Sequence, residues 1–426
     1  MNTMKKDEAL VDYAYNLIKD VIEEFGPRFT SSDAERHANE FLKDKLDEFC
    51  DETHFEEFTT RPKLYPQGIF KVVAVLGLAG IPFMLFGVLS IIPAILVITG
   101  ILILYAELFH LKRWISPFFK KGISTNVWGR IKPRGEIKWR IVFEGHTDSA
   151  RQMRLMENEK IPLAKVLLGI LYLVVTPIFS IAKFIGVMFL PSTAGILIQS
   201  GLFTWTVLDW IYFPSIAIIV PFFIWVIYSL HGDVVVPGAG DNLSATAVAA
   251  ALGKYFKENP PEHVELIIGS MGSEEIGDQG AKAFVEAHGD LLEKSYAFIM
   301  DDIACGCNAF NLVVNDFHAH HGYSTEVIER IEKAHEAYKK DVPDAAPMWR
   351  RKLGIGSSDA CMYVNAGYKA GWIVGVKYEE GEKGIKRPPN WHSSRDTWQN
   401  ITKKMLQDAI GIGRKFVEIV DKEVSE

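Results

Sequence analysis

Two long apolar blocks interrupt a chain whose hydrophobic and polar positions are otherwise typical of a water-soluble protein. The first block spans residues 69–108 and has only one lysine and one glutamate, both near its ends. One membrane-crossing helix needs about 20 apolar residues, so this block has room for two crossings. Ser90 and Pro93 interrupt it and predict a tight turn between Gly87 and Pro93. The first block is therefore predicted to be a helical hairpin.

The second block runs from about residue 164 to residue 230. It holds two apolar runs, which are separated by the proline-, serine- and glycine-containing stretch 191–201. Taken alone, this pattern allows either two long crossings or three shorter ones. Both blocks exceed the apolar runs of soluble cores. No signal peptide is expected before them, because the first 60 residues are highly charged.

The rest of the chain forms three segments, which we expect to combine into one soluble domain. If they do, each apolar block must cross the membrane an even number of times. The predicted organisation is soluble residues 1–68, hairpin 69–109, soluble residues 110–162, hairpin 163–231 and soluble residues 232–426.

Charged residues beside the blocks predict the orientation. Lysine and arginine side chains concentrate on the side that the soluble segments share, whereas the opposite side has at most Lys183. The flanking cations are Arg61, Lys63, Lys112, Arg113, Lys120, Lys121, Arg151, Arg154 and Lys160. The positive-inside rule therefore predicts a multi-pass protein of the cell membrane whose soluble part faces the cytoplasm.

Composition excludes some classes of protein. The chain is 48% hydrophobic and 23% charged, which is typical of a folded protein. Its net charge of −7 gives no reason to expect a nucleic-acid partner, since nucleic-acid binding calls for a basic face. The four cysteines are too few and too scattered for a disulfide framework and favour a reducing compartment. The sequence does not indicate an oligomeric state.

Candidate chemistry lies where β-prone runs end. Residues 138–145 lead into His146 and Asp148, a spacing that can place a metal ligand beside an orienting carboxylate. Asp241 follows a glycine-rich turn and precedes a helix of small residues. In open α/β sheets ligands collect at the carboxyl ends of strands, so these residues are candidates for one site.

Three further segments extend this set. Residues 264–270 lead into Glu274 and Glu275, two adjacent carboxylates that can divide the roles of metal ligand and general base. Another apolar run ends at Asp301 and Asp302, and His392 lies in a proline-bearing loop near the C-terminus. Histidine nitrogens and carboxylate oxygens are ligands that zinc accepts.

The order and local sequences of these motifs resemble zinc metallopeptidase family 28, the co-catalytic aminopeptidases related to bacterial leucyl aminopeptidase and glutamate carboxypeptidase. Residues 23–46, with their Gly-Pro-Arg turn between two helical patterns, resemble the start of this family as well. The resemblance implies an α/β fold with a mixed, mostly parallel central sheet flanked by helices. In this chain two transmembrane helical hairpins would interrupt that fold.

The resemblance also implies the role of each site residue. Asp241 would bridge two zinc ions, with a cis peptide bond between Asp241 and Asn242, and Glu274 would be the general base. Asp148 would orient His146, and Asp396, four residues after His392, would support the site. The implied ligands are His146 and Asp301 for one ion, Glu275 and His392 for the other, and Asp241 for both.

Three departures from the family pattern matter. His146 and Asp241 are separated by 95 residues, most of them in the second apolar block, whereas the family has a short connection. One metal site cannot lie on both sides of a bilayer. The resemblance therefore excludes three membrane crossings in the second block. Ala360 stands where the family often has a histidine, and Asp302 beside Asp301 leaves the ligand ambiguous, with Asp301 preferred.

The predicted function is that of a membrane-anchored di-zinc aminopeptidase. It would hydrolyse peptides that have a free N-terminus by a metal-bound hydroxide, with the lipid bilayer as its other partner. The alternatives are a single-zinc glutaminyl cyclase-like enzyme and a catalytically inactive peptidase-like membrane receptor or scaffold. His318, His320 and His321 are interpreted as a solvated loop, and Cys305 and Cys307 as small buried packing residues.

Overall fold

The computed structural model describes residues 2–157, 162–230, 232–354, 356–379 and 388–426. The chain forms two compact units. The sheet unit comprises Met1–Pro62, Lys121–Gln152 and Asp233–Glu426, and the helical unit comprises Lys63–Lys120 and Met153–Gly232. The helical unit thus includes more residues than the hairpins predicted at 69–109 and 163–231. Lys160, a predicted flanking cation, and His231, the last residue of the second predicted hairpin, lie outside the described residues.

Strands and helices are numbered along the chain. The strands are β1 Glu52–Thr60, β2 Gly122–Ile131, β3 Trp139–His146, β4 Ile196–Ser200, β5 Phe203–Thr206, β6 Val264–Met271, β7 Ser295–Asp301, β8 Ala309–Asn315, β9 Met348–Lys352 and β10 Ala370–Val376. The α-helices are α1 Asn2–Phe25, α2 Asp33–Asp47, α3 Gln67–Ala79, α4 Ile92–Leu104, α5 Leu163–Phe189, α6 Val207–Ser229, α7 Ser244–Glu258, α8 Gln279–Ala287, α9 Gly289–Leu292, α10 Thr325–Asp341, α11 Ala360–Asn365 and α12 Lys403–Ser425.

An eight-stranded sheet in the order β1-β2-β6-β3-β7-β10-β8-β9 is the centre of the sheet unit. β3 pairs in parallel with β6 and β7, β7 pairs in parallel with β10, and β8 pairs in parallel with β9. The other three pairings are antiparallel. β6, β7 and β10 are buried along their whole length, as expected for inner strands covered on both faces. The predicted mixed, mostly parallel sheet is confirmed.

Helices cover both faces of this sheet. The Glu144 side chain in β3 accepts a hydrogen bond from the Tyr363 hydroxyl of α11 at 2.7 Å. At the next residue, Gly145, the side where a Cβ atom would lie faces Thr246 of α7. Successive residues of a strand face opposite sides, so α11 and α7 pack on opposite faces. The predicted flanking by helices is therefore confirmed.

The helical unit consists of two insertions in the sequence of the sheet unit, and the ends of each insertion are paired with each other or lie next to a paired position. Thr60 of β1 pairs with Gly122 of β2, so the chain leaves and returns at adjacent ends of one antiparallel pair. At the second point Arg151 and Val235 form an antiparallel bridge. Each insertion therefore begins and ends where the sheet unit is already closed by backbone hydrogen bonds.

Four helices of the helical unit are long and apolar enough to cross a membrane, namely Gln67–Leu85, Val88–Phe109, Leu163–Phe189 and Val207–Ser229. The first two are separated at Phe86 and Gly87. α5 and α6 are joined by the antiparallel pair β4 and β5, so the second block has two long helices. Large apolar side chains, including Val75, Ile98, Leu102, Leu167, Ile178, Trp210 and Ile218, are exposed on these helices. Such a surface is typical of helices that face lipid.

Polar side chains pack inside the helical unit. Lys183 in α5 donates to both carboxylate oxygens of Asp209 in α6, at 2.9 and 2.7 Å, and both side chains are fully buried. Tyr172 donates to the Gly77 carbonyl at 2.8 Å, and Ser180 accepts from the Ala94 amide at 3.0 Å. Lys183, which the sequence suggested as a flanking cation, is therefore a buried member of the helix packing.

Candidate metal centre

Three neighbouring parallel strands bring candidate ligands to one edge of the sheet. β3 ends at His146 and β7 ends at Asp301. β6 ends three residues before Glu274. Carboxyl ends of parallel strands meet at the same edge, which explains why residues so distant in sequence lie together.

The first group of side chains surrounds His146. Its Nε2 atom lies 3.1 Å from Asp241 Oδ1 and 3.9 Å from Asp301 Oδ1. These three residues are buried, and their ligand atoms lie close enough together to hold one metal ion. Glu274 Oε2 lies 3.6 Å from the same nitrogen.

The second group surrounds His392. Its Nε2 atom lies 3.1 Å from Glu275 Oε2 and 3.2 Å from Asp241 Oδ2. Asp241 thus directs one carboxylate oxygen towards each group. All five predicted ligands and the predicted base are brought together, but their assignment as zinc ligands stays a prediction.

The donor set fits a metal centre. The buried atoms His146 Nε2, Asp241 Oδ2, Glu275 Oε1 and Asp301 Oδ1 have no hydrogen-bond partner among the described residues. Buried polar atoms are normally paired, so several orphaned atoms in one place need an explanation. Imidazole and carboxylate ligands suit zinc.

Electrostatics show an excess of buried negative charge. Burial raises the pKa of Glu274 and of Asp301 well above the usual range, and neighbouring carboxylates add to this while His146 opposes it. Burial also raises the pKa of Glu275 to about 7. Burial would lower the pKa of His392, but Glu275 and Asp241 outweigh it and raise this pKa to about 10. A divalent cation would supply the positive charge that offsets these carboxylates.

Asp148 links the two groups. Its carboxylate accepts hydrogen bonds from the backbone amides of Glu274 at 3.0 Å and Glu275 at 3.2 Å. The Nδ1 atom of His146 lies 3.5 Å from Asp148 Oδ1 and 3.1 Å from the Asp148 carbonyl oxygen. The carboxylate therefore positions the Glu274–Glu275 backbone in addition to facing His146.

Asp241 is held from two sides. Asp396 accepts hydrogen bonds from the Gly240 amide at 2.6 Å and from the Asp241 amide at 3.2 Å. On the other side, the fully buried Arg28 donates to the Pro237 and Gly238 carbonyls at 3.0 and 3.1 Å. The peptide bond between Asp241 and Asn242 is cis, as the resemblance implied.

Glu35 is a supporting residue that the sequence did not reveal. It accepts hydrogen bonds from the Ser124 hydroxyl at 2.6 Å and from the Ser273 amide at 3.2 Å, just before the predicted base. Burial raises its pKa to about 8. Its only sequence signal is a position three residues after Ser32, where it fits a helix cap.

The remaining sequence interpretations have mixed outcomes. Asp301, rather than Asp302, joins His146 and Asp241 in a potential metal group of the described residues. Cys305 and Cys307 are buried thiols, as interpreted. The interpretation of His318 as part of a solvated loop is wrong, because its side chain is buried. Within this loop Asp316 accepts hydrogen bonds from the His318 and Ala319 amides, which fixes its turn.

A sequence model of peptidase family M28 matches residues 224–417. The resemblance to peptidase family M28 is confirmed. The match includes Asp241, Glu274, Glu275, Asp301 and His392, while His146 lies before it. A comparison with curated protein sequences found no match.

Solved structures support the M28-type fold. A zinc aminopeptidase from Bacillus subtilis aligns with a TM-score of 0.54 at 14% identity, over 96% of this chain and 95% of that chain. An aminopeptidase from Aneurinibacillus sp. strain AM-1 aligns with a TM-score of 0.52 at 14% identity, over 96% and 93% of the two chains. The glutaminyl cyclase from Porphyromonas gingivalis reaches 0.54 at 13% identity, over 97% and 98%. The chain thus has the fold of M28 zinc peptidases, which glutaminyl cyclases share.

Proposed function

We propose that the protein is a membrane-anchored metallopeptidase that removes N-terminal residues from peptides. The observation that carries this proposal is the shared carboxylate of Asp241, which lies between the His146–Asp301 group and the Glu275–His392 group. A single-metal centre needs only one of these groups. The presence of both, each with orphaned buried atoms, supports two zinc ions.

The residues divide the work in this proposal. His146, Asp241 and Asp301 would hold one zinc ion, and Asp241, Glu275 and His392 the other. The chemistry supplied by bound zinc is polarisation of the scissile carbonyl and activation of water at neutral pH. Glu274 takes the proton of the attacking water and gives it to the departing amine. Its raised pKa suits the second step, because it favours the protonated carboxyl group.

Glu274→Gln tests the assignment of the base. We expect turnover of aminoacyl substrates to fall by about 10²- to 10⁴-fold, because proton transfer is lost. Zinc content should stay unchanged, since Glu274 is not among the proposed ligands. Glu286→Gln is the matched control, because Glu286 lies on α8 with an exposed side chain and should keep full activity. Near-normal activity of Glu274→Gln would show that another group is the base.

A glutaminyl cyclase is the second candidate function, and the likeness to several solved glutaminyl cyclases favours considering it. Such an enzyme would cyclise an N-terminal glutamine and would need only one zinc ion. Incubation with peptides that begin with glutamine and with leucine separates the two functions. Release of free amino acids supports the peptidase, whereas a pyroglutamyl product without release supports the cyclase. If neither product forms, the result would favour the inactive receptor or scaffold.

We also propose that the four apolar helices cross the cell membrane and that the sheet unit faces the cytoplasm. The connection between α5 and α6, residues 190–206, has no lysine or arginine, whereas Lys120, Lys121 and Arg154 lie beside the helices on the other side. A cysteine introduced at Ser192, in a variant that lacks the four native cysteines, should react with an impermeant maleimide in intact cells. Labelling only after lysis would reverse the orientation.

The hairpins would tether the peptidase site close to the bilayer. The chain leaves the sheet unit at Gln152, four residues after Asp148, and returns at Asp233, eight residues before Asp241. These short connections favour the hypothesis that the substrates are presented at the lipid surface, as hydrophobic peptide fragments would be. Replacing Met153–Gly232 by a soluble linker should lower cleavage of vesicle-bound peptides more than cleavage of soluble ones. An unchanged preference would exclude this role.

A further inference from the structure

We infer that Asp278, His318 and Cys361 form a further metal site for a zinc-type divalent cation, separate from the five predicted ligands. The three residues come from the start of α8, the loop after β8 and the helix α11. All three are buried, and their ligand atoms lie within 4.8 Å of one another. Oxygen, nitrogen and sulfur donors in one cluster suit zinc or cobalt and do not suit calcium or magnesium.

The Asp278 carboxylate is not explained by helix capping. Asp278 precedes α8 at the position where an aspartate ordinarily accepts a hydrogen bond from the first turn, but its side chain makes no such bond. The residue is only 2% exposed. Its Oδ1 atom has no hydrogen-bond partner among the described residues. A buried carboxylate oxygen of this kind needs a partner, and a cation shared with His318 and Cys361 would supply one.

The distances fit a shared cation better than a direct hydrogen bond. His318 Nδ1 lies 3.6 Å from Asp278 Oδ2, which is too long for a hydrogen bond. Two ligands of a tetrahedral zinc ion, each about 2.1 Å from the metal, lie about 3.4 Å apart. The observed separation is therefore close to that of two ligands of one ion.

The surroundings of Cys361 also favour a cation. The thiol is fully buried. Its sulfur lies within 4.8 Å of the Asp278 and His318 ligand atoms. Binding of a cation by this sulfur would release the thiol proton to solvent, because the thiolate is the metal ligand.

A supporting network fixes the cluster. Asn365, on the same short helix as Cys361, donates to the His318 carbonyl at 2.9 Å. The Asn365 side-chain oxygen accepts from the His320 amide at 3.1 Å. Asp316 accepts from the His318 amide at 2.9 Å and from the Tyr323 hydroxyl at 2.5 Å. The loop with His318 is thus tied to the helix with Cys361, as expected for residues that orient metal ligands.

Cobalt provides a direct test, because thiolate-to-cobalt charge transfer absorbs in the near ultraviolet and the five predicted ligands include no thiolate. The full-length protein in detergent is stripped with a chelator and titrated with Co²⁺. We expect the charge-transfer band together with one more bound Co²⁺ than in Cys361→Ser, which should lack the band. Cys50→Ser, a half-buried thiol elsewhere in the sheet unit, is the matched control and should keep both.

Asp278→Asn gives a second test, in case Cys361→Ser does not fold. It keeps the thiol and should need about tenfold more Co²⁺ to develop the band, because a metal ligand is lost. A band that is absent from the unsubstituted protein, or that persists in Cys361→Ser, would overturn the inference. His392→Ala separates this result from the proposed function, because it removes a ligand of the other centre and should keep the band.

Discussion

At the scale of single residues, Arg28 shows how one buried side chain supports the candidate centre. Its guanidinium donates to four carbonyl oxygens, those of Thr147, Gly26, Pro237 and Gly238, at 2.7 to 3.1 Å. Burial lowers its pKa to about 10, although nearby carboxylates oppose this, so it stays charged at neutral pH. Arg28 therefore joins the segment that follows His146 to the segment that precedes Asp241.

Arg28→Lys is expected to lower the free energy of unfolding by about 2–4 kcal/mol. A lysine has three donors and cannot reproduce the planar arrangement, so at least two buried carbonyls lose their partner. Zinc affinity should fall as well, because the segments that hold His146 and Asp241 are no longer joined. Thermal unfolding and metal titration measure the two effects.

Arg36→Lys is the matched control for Arg28→Lys, since Arg36 pairs with Glu40 and Glu57 on the exposed surface. It should leave the melting temperature and the metal content unchanged. Equal behaviour of the two variants would show that Arg28 has no special role.

Single residues also show the limits of sequence reasoning. The six candidates for ligand and base could be predicted because each follows a β-prone run or a glycine-rich turn and together they resemble a family. Glu35 and Arg28 could not be predicted as supports, since the contacts that tie them to the site, to the Ser273 amide and to the Thr147, Pro237 and Gly238 carbonyls, are all more than 100 residues away. Asp278 and Cys361 have no local pattern at all, and only the packing of α8 against α11 brings them together.

At the scale of elements, the buried Lys183–Asp209 pair joins α5 to α6. Asp209 also accepts hydrogen bonds from the Thr206 amide and hydroxyl, at 2.6 and 2.9 Å, and so caps α6. Both roles place polar groups inside an apolar helix bundle. Each of the two ionisable side chains thus has a hydrogen-bonding partner within the bundle.

Lys183→Met should lower the free energy of unfolding by about 3–5 kcal/mol, because the Asp209 charge remains buried without a cation. The double variant Lys183→Met/Asp209→Asn removes that charge and keeps a capping side chain. The free energy of unfolding of the double variant should fall by clearly less than that of Lys183→Met alone. Thermal unfolding in detergent measures both. A double variant that is less stable than either single one would contradict a simple ion pair.

Sequence reasoning predicted the apolar helices from length and composition, and the even number of crossings in the second block from the need to keep one site in one compartment. It did not predict the antiparallel pair β4–β5 between α5 and α6. β4 has no alternating pattern of apolar and polar residues, and the alternation in β5 covers only the four residues Phe203–Thr206 inside a long apolar block. The insertion points were not predicted either, since strand register fixes them.

At the scale of the whole molecule, the two insertions are expected to be removable. Thr60 and Gly122 are paired in one sheet, and Arg151 and Val235 form a bridge, so short turns can replace both insertions. A chain with Asn-Gly in place of Lys63–Lys120 and a glycine-serine linker in place of Met153–Gly232 should be soluble without detergent. It should keep the metal centre, because all five predicted ligands lie in the sheet unit.

Gel filtration, circular dichroism and metal analysis of this shortened chain provide the check. A monodisperse α/β protein with the metal content of the full-length chain is expected. Aggregation of the shortened chain, together with normal behaviour of chains that lack only one insertion, would show that the sheet unit depends on the helical unit.

In the proposed metal centre, five side chains hold two zinc ions through a shared Asp241. The most direct measurement is elemental analysis of the full-length Cys361→Ser variant in detergent, after zinc loading and removal of loosely bound ions. This variant lacks the further site, so about two zinc ions per chain are expected, and Asp241→Asn in the same background should retain fewer. One zinc ion per chain would contradict the shared centre and favour a cyclase-like site, and none would contradict a metallopeptidase altogether.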